Sequence, residues 1–305
     1  MQVVTAPARR RVKRWVLAVI ATGSQGTGVD YDEPRGDLGL FGPDSVVWRV
    51  HADFPGMMAG GICALLLQAL HPLALAGVYD HSDFRHDPLG RLRRTIGFVS
   101  ATTYAPRAAA EARIARVGAI HHTVRGTAPD GRFYSADDPA LLTWVHCAEM
   151  WSFLQGYQCY RDVPLPVALQ DRYYDETRRV AEALGARDVP RSVAEIDAYF
   201  ERMRPELACD ARTHDVLSVL DEIRVPLPAG SAVRGTFVRA GAALLPDWAR
   251  TLLGRNGRVQ RLRDTGASHL LHGLAPVLRA AMMDGIAARS CRRVGIDPAQ
   301  LYLQC

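Results

Sequence analysis

Ten histidines carry most of the chemistry available to this 305-residue sequence. Ile114, Val117, His121 and Val124 recur at spacings of three and four, which puts His121 on the apolar face of a helix from Pro106 to Arg125. A single imidazole on such a stripe is how a helix offers an axial ligand to a haem iron, and it is also the pattern of a core histidine satisfied by a backbone carbonyl. His122 falls on the other side, with Glu111, Ala115 and Gly118. Arg91, Arg94 and Thr95 share one face of the preceding helix. They could receive haem propionates, orient a substrate carbonyl or stabilise bound oxygen, or they could form an exposed basic stripe. Gln68 and His71 stand one helical turn apart in the longest uncharged run, Gly56 to Tyr79. That pair is either a structural hydrogen-bond network or a pocket wall, because an unsatisfied buried polar group costs about 1–3 kcal/mol.

Three further groups have suggestive spacing. Asp80 to Asp87, with His81 and His86 inside it, has the composition of a metal-binding loop or of a capped turn between helices. His146 and Glu149, three apart, could form a carboxylate-oriented imidazole. His269 and His272 share a spacing of three but lie near an arginine-rich region, as surface or crevice residues would.

Composition removes other chemistries. Lys13 is the only lysine among 37 Lys and Arg residues, and it sits in a basic N-terminal run, so a Schiff-base or general-base lysine is nearly excluded. Arginine does not deprotonate in proteins, so His, Asp, Glu, Tyr or Cys must move any proton. No GxSxG elbow, HExxH, intact GxGxxG, Gly-Lys phosphate loop or EF-hand loop is present. The absence of CxxCH excludes covalently attached haem. A net charge of +5 is too small and too dispersed to indicate nucleic acid. The cluster Arg9 to Arg14 fits a solvated first helix turn, although it could touch phosphate or an anionic membrane. The short apolar stretch after it shows no cleavage pattern, which suits a mature cytoplasmic chain. Cys63, Cys147, Cys159, Cys209, Cys291 and Cys305 show no CxxC pairing and fit free thiols in a reducing compartment.

The elements that must position these residues are helices. The run Gly56–Tyr79 is long enough to span a membrane, for which roughly 20 residues suffice. It contains Gln68, His71 and Pro72 and has no aromatic flanks, so a buried central helix is the better expectation, kinked or broken beside His71. Helices are expected over Pro88–Tyr104 and from Pro106 until Gly126 ends it. Asp138 should cap a long one reaching Tyr160. Others fall near Val167–Leu184, Ser192–Met203, Arg212–Ile223 and Leu274–Val294, with Ser192 and Glu195 forming a capping-box pattern. The expectation is an all-α fold with no internal repeat. Its parts would be a basic helix and linker at residues 1–38, a catalytic core at 39–225, and a smaller helical part at 226–305, past Pro226–Gly230.

In their order along the chain, Gly39–Asp53 (GLFGPDSVVWRVHAD), Leu65–Thr95, Ala119–Gly126 (AIHHTVRG) and Leu141–Met150 (LLTWVHCAEM) resemble the MpaB and rubber-oxygenase family, which includes the bacterial latex-clearing proteins. The resemblance runs from about Gly39 to Tyr160 and fades toward the C-terminus. It implies a globin-like helical core, one non-covalent haem b, and oxidation of apolar isoprenoid chains by dioxygen. It puts the family's proximal iron ligand on His121, with His122 one residue away as the alternative, and matches the distal Arg-x-x-Lys-Thr group to Arg91, Arg94 and Thr95. Arginine in place of lysine removes distal ligation by an amine, and Gly56–Tyr79 lacks the glutamate that the latex-clearing enzymes use as base. Both departures argue against polymer cleavage, as does the lack of an export signal.

The sequence therefore implies a cytoplasmic haem b oxidoreductase that acts on a small, largely apolar metabolite with dioxygen or peroxide, without nucleic acid or a transmembrane segment. His121 would hold the iron, its other ring nitrogen oriented by a carbonyl or carboxylate. His71 and Gln68 would line the wall opposite Arg91, Arg94 and Thr95, with His71 moving protons. His146 and Arg125 would meet a propionate. Haem-driven dehydrogenation, coupling or rearrangement without oxygen insertion, or a non-catalytic haem carrier, are the alternatives.

Overall fold

A computed structural model describes residues 6–20, 28–227 and 229–302. Cys305, Pro228 of the expected boundary and part of the expected 1–38 linker lie outside these residues. The fold is all-α: among the described residues there are fourteen α-helices and one two-stranded sheet. The N-terminal basic cluster lies on α1 (Ala6–Ile20), and Ser45 caps the short α2 (Val46–His51) by accepting from Trp48 N.

The uncharged run divides in two, as its proline requires. Asp53 caps α3 (Phe54–Gln68), and α4 (Pro72–His81) begins at Pro72. A residue before proline is pushed toward extended backbone, and His71 adopts φ −94°, ψ 111°. The two helices meet at 104°. No single helix among the described residues is long and apolar enough to cross a membrane, although this bent pair is so by length and composition. Asp87 caps α5 (Pro88–Tyr104), and α6 (Arg107–His121) follows Pro106.

The next helix ends earlier than its periodicity predicts. It stops at His121 and does not reach Gly126, which lies in β1 (Arg125–Thr127) opposite Tyr134 of β2 (Phe133–Ser135). Asp138 caps α7 (Pro139–Tyr160) through Ala140 N, and α8 (Val167–Leu184) and α9 (Val193–Met203) match the expected ranges closely. Ser192 accepts from Glu195 N, while Glu195 accepts in return from Arg191 N. Next come α10 (Ala211–Glu222), α11 (Gly230–Ala243) and α12 (Asp247–Leu252).

The expected helix over Leu274–Val294 is two. α13 (Arg258–Ala281) starts sixteen residues earlier and runs through Pro276, and α14 (Ile286–Arg293) comes after a break. The first half of α13 hides its periodicity because its buried positions include Asp264 and Ser268. Asp264 is fully buried and is met by Arg250 at 3.6 Å and Arg255 at 3.1 Å.

The centre of the molecule is the packing of α3 on α7, with α11 on the other side of α3. Trp144, Tyr157, Leu66, Leu67 and Leu154 are all but inaccessible there. Backbone meets backbone where the two helices cross. A Cβ on Gly156 would overlap the carbonyl oxygen of Gly56, and one on Gly241 of α11 would lie 2.6 Å from Ile62 Cβ. Only glycine permits such contact. Gly156→Ala should therefore cost about 1–3 kcal/mol through overpacking, read as a lower urea midpoint with an unchanged helical circular dichroism spectrum.

Candidate active site

Two cavities lie against the α3–α7 pair. The first, about 590 Å³, lies between α4, α5, α6, α7 and α8, and the second, about 510 Å³, lies between α1, α3, α5, α10 and the start of α14. They share a neck at which His51, Gln68, Arg91, Thr95 and Glu149 line both. Most of the remaining lining is aliphatic or aromatic, with Met57, Ile96 and Phe153 on the second cavity. The pattern is that of a ligand site: an apolar hollow with a few convergent polar groups.

His121 lines the first cavity from the last turn of α6, with Val117 and Val124 of its predicted stripe. Its Nδ1 is buried and has no hydrogen-bond partner, so the carbonyl or carboxylate expected to orient the ring is absent among the described residues. Burial lowers its pKa, with Asp137 opposing and His122 reinforcing the shift, so the ring is neutral at pH 7. The carboxylate goes to its neighbour: His122 stands outside the cavity and pairs through Nδ1 with Asp137 at 2.7 Å. A lone imidazole holds a metal only when the rest of the coordination sphere arrives with the metal, as in a porphyrin. No group of three His, Cys, Asp or Glu able to bind a metal occurs among the described residues, the Asp80–Asp87 turn included. In that turn His86 pairs with Asp83, Asp80 with Arg212 and Tyr134, and Asp87 caps α5.

The predicted distal group is brought together at the neck. Arg91 faces both cavities with no ion pair among the described residues, and its pKa is lowered by burial and then by Arg94. Arg94 lines only the first cavity and pairs with Asp87 at 3.2 Å. The Thr95 hydroxyl donates to Arg91 O at 3.3 Å. Gln68 reaches the neck from the end of α3, its Nε2 donating to Val145 O at 3.1 Å.

Two expected residues are elsewhere. His71 lines neither cavity: it is buried as the N-cap of α4, its Nδ1 accepting from Ala74 N at 3.5 Å and its ring packed on Trp144. Once the apolar run breaks at Pro72, the break turns His71 away from the wall it was expected to share with Gln68. Arg125 lies on the exposed strand β1, outside the cavity, and donates to His122 O.

Two residues exceed their sequence reading. His51 at the end of α2 is held on both sides, by Thr103 Oγ1 at 2.8 Å and the Tyr173 hydroxyl at 2.9 Å, and burial pushes its pKa down to about 3. Nothing but its place in the motif WRVHAD could have singled it out. Spacing pairs Glu149 with His146, yet no hydrogen bond joins them. His146 lines the first cavity with its pKa pushed down to about 4 by burial, whereas Glu149 stands at the neck with its pKa pushed up to about 7.

These environments set two measurable outcomes. His71→Ala should lower stability by about 1 kcal/mol and His71→Ser should restore it, since serine caps helices well, with ligand binding in the cavities unchanged in calorimetry. Folded Glu149 holds its proton more tightly than an ordinary carboxyl of pKa 4.5. Its contribution to stability is therefore full below that value and is lost as pH rises through about 7. Glu149→Gln should flatten that part of the stability–pH curve, measured by denaturant midpoints at about pH 5 and about pH 8.

No curated protein and no solved structure matches the chain. A family model does, over residues 48–280, well over half of the sequence, from Trp48 in α2 to Ala280 in α13. The match includes the neck of both cavities, His121 and the whole of α7. By that match the chain belongs to the family described as ER-bound oxygenase mpaB/B'/rubber oxygenase, catalytic domain.

Proposed function

We propose that the protein is a haem b-dependent oxygenase that oxidises a small, largely apolar molecule with dioxygen or peroxide. The supporting observation is His121: a neutral imidazole with an unpartnered buried Nδ1, on the wall of a 590 Å³ hollow, in a chain of an oxygenase family. His121 would hold the haem iron through a ring nitrogen. Bound there, haem would supply the redox chemistry that activates the oxidant.

The chain's own residues divide the remaining work. Burial keeps His121 unprotonated at neutral pH, so its ring nitrogen retains the lone pair that a metal needs. Arg91 presents N–H donors to both cavities and cannot lose its proton, so it would orient oxygen-bearing groups at the neck. Asp87 steadies Arg94 beside it, and Thr95 is tied to the α5 backbone. His146 would meet the edge of the bound group as a neutral imidazole, since its burial disfavours the charged form. The second cavity would hold the substrate, its apolar wall excluding water from one side of the neck. The exposed position of Arg125 leaves it no part in this reading.

Purified protein mixed with haemin should develop a Soret band. His121→Ala should lose that band or bind haem weakly while keeping its far-ultraviolet circular dichroism, and added imidazole should return part of the signal. His122→Ala, on the solvent side with Asp137, should keep the wild-type spectrum. A Soret band unchanged in His121→Ala would remove His121 as ligand. Heavy-oxygen label missing from the product of the loaded enzyme would favour dehydrogenation or coupling instead.

A further inference from the structure

The neck between the cavities holds five polar side chains, and four of them cannot exchange a proton near neutral pH. His51 has both ring nitrogens engaged, by Thr103 and Tyr173, and burial keeps it neutral. Gln68 and Thr95 do not titrate, and Arg91 keeps its charge in any protein environment. Glu149 remains. It projects from α7, between the buried Ala148 and Met150, makes no hydrogen bond or ion pair among the described residues, and lines both cavities. A carboxyl placed without partners beside buried core residues costs stability when it ionises, which marks it as a group kept for use.

The groups around Glu149 leave it that role. On its own helix, His146 is kept neutral by burial. The cavities it lines also take His51 from α2, the uncharged Gln68 from α3, Arg91 and Arg94 from α5, and only aliphatic residues from α10, while the nearby Tyr173 of α8 has its hydroxyl held protonated by burial. His121 stands on the α6 wall of the first cavity. Arg91 is thus the cationic donor at the neck and Glu149 the acceptor, and neither has a protein partner among the described residues. An acceptor and a donor that share a neck, with apolar hollows on both sides, suit an apolar molecule that carries a hydroxyl at the neck.

We propose that Glu149 is the proton acceptor of this site and that the substrate is an apolar molecule bearing an acidic hydroxyl, phenolic or enolic, seated between Glu149 and Arg91. The hydroxyl O–H bond breaks, and its electron pair stays on the substrate oxygen, where the Arg91 N–H groups hold the developing charge. The proton forms a new O–H bond on the Glu149 carboxylate, which becomes the neutral carboxyl that its burial favours. No oxidant is consumed in this step, and it prepares an electron-rich substrate for oxidation in the first cavity. A carboxyl with its pKa near 7 is matched to accept such a proton at physiological pH. The later oxidation rests on the oxygenase reading, whereas the proton transfer can be tested without it.

Titration calorimetry with para-butylphenol as probe, and para-butylanisole as the equally apolar probe without a hydroxyl proton, separates the possibilities. The full chain is used as purified, its haem content read from the Soret band. Wild-type protein should bind the phenol roughly tenfold more tightly at about pH 8 than at about pH 5.5, as a charged acceptor replaces a neutral one, and should bind the anisole alike at both. Glu149→Gln, nearly isosteric, should keep the haem spectrum and lose the pH response. Arg91→Gln should weaken phenol binding at both pH values. Equal binding of the two probes, or a pH response that survives Glu149→Gln, would overturn the proposal. So would phenol binding that shifts the Soret band in Glu149→Gln as in wild type, because the phenol would then sit on the iron. Failure of the wild-type chain to take up haem would count against the oxygenase reading alone, and the calorimetry would still decide the part played by Glu149.

Discussion

Contact between bare backbones at the crossing of α3 and α7 is the constraint on which the rest of the structure depends. Gly56 and Gly156 bring the helices closer than any side chain would allow, and Gly60 sits against the Ser152 carbonyl in the same way. Asp53 locks the end of this crossing. Fully buried, it caps α3 through Gly56 N and accepts from Arg279 Nε of α13 at 2.6 Å, while Arg161 at the end of α7 approaches to 3.8 Å. Arg279 also donates to Tyr160 O, so one carboxylate and one guanidinium join three helices. A buried ion pair satisfied on several sides is costly to break, because either partner alone is a stranded charge.

The neck lies toward the other end of the same two helices, where Gln68 and Glu149 line both cavities. Gln68 ends α3 and is tethered to Val145 O, which sets it across from Glu149 one turn further along α7. The sharp bend into α4 sets Leu73, Ala74 and Gly77 of that helix on the wall of the first cavity.

Burial sorts the titratable groups of the site into distinct states without any network of charges. Desolvation leads the shifts of His51, His146 and Glu149, and in each case it favours the neutral form. For histidine this removes a proton acceptor from the neutral range, while for a carboxyl it creates one. The same apolar walls that suit a hydrophobic substrate therefore decide which side chain can exchange protons with it. Arg94 fits the same logic, since a guanidinium keeps its charge and its pairing with Asp87.

Much of this was legible in the sequence. Composition and helical periodicity determined the all-α fold, and local capping chemistry placed the starts of α7 and α9 at Asp138 and Ser192. Side-chain spacing put His121 on a cavity wall and Arg91 beside Thr95, because residues three and four apart share a helix face whatever packs on it. Proline marked the break after His71 but not its angle, and that angle turned His71 from a pocket residue into a helix cap. The start of α13 stayed hidden because its buried face carries Asp264 and Ser268, whose partners Arg250, Arg255 and Tyr160 lie on other elements. Glu149 was visible only as a neighbour of His146. Its place between two cavities depends on how five helices converge, and a carboxyl's proton affinity is set by the walls around it, which local spacing does not encode.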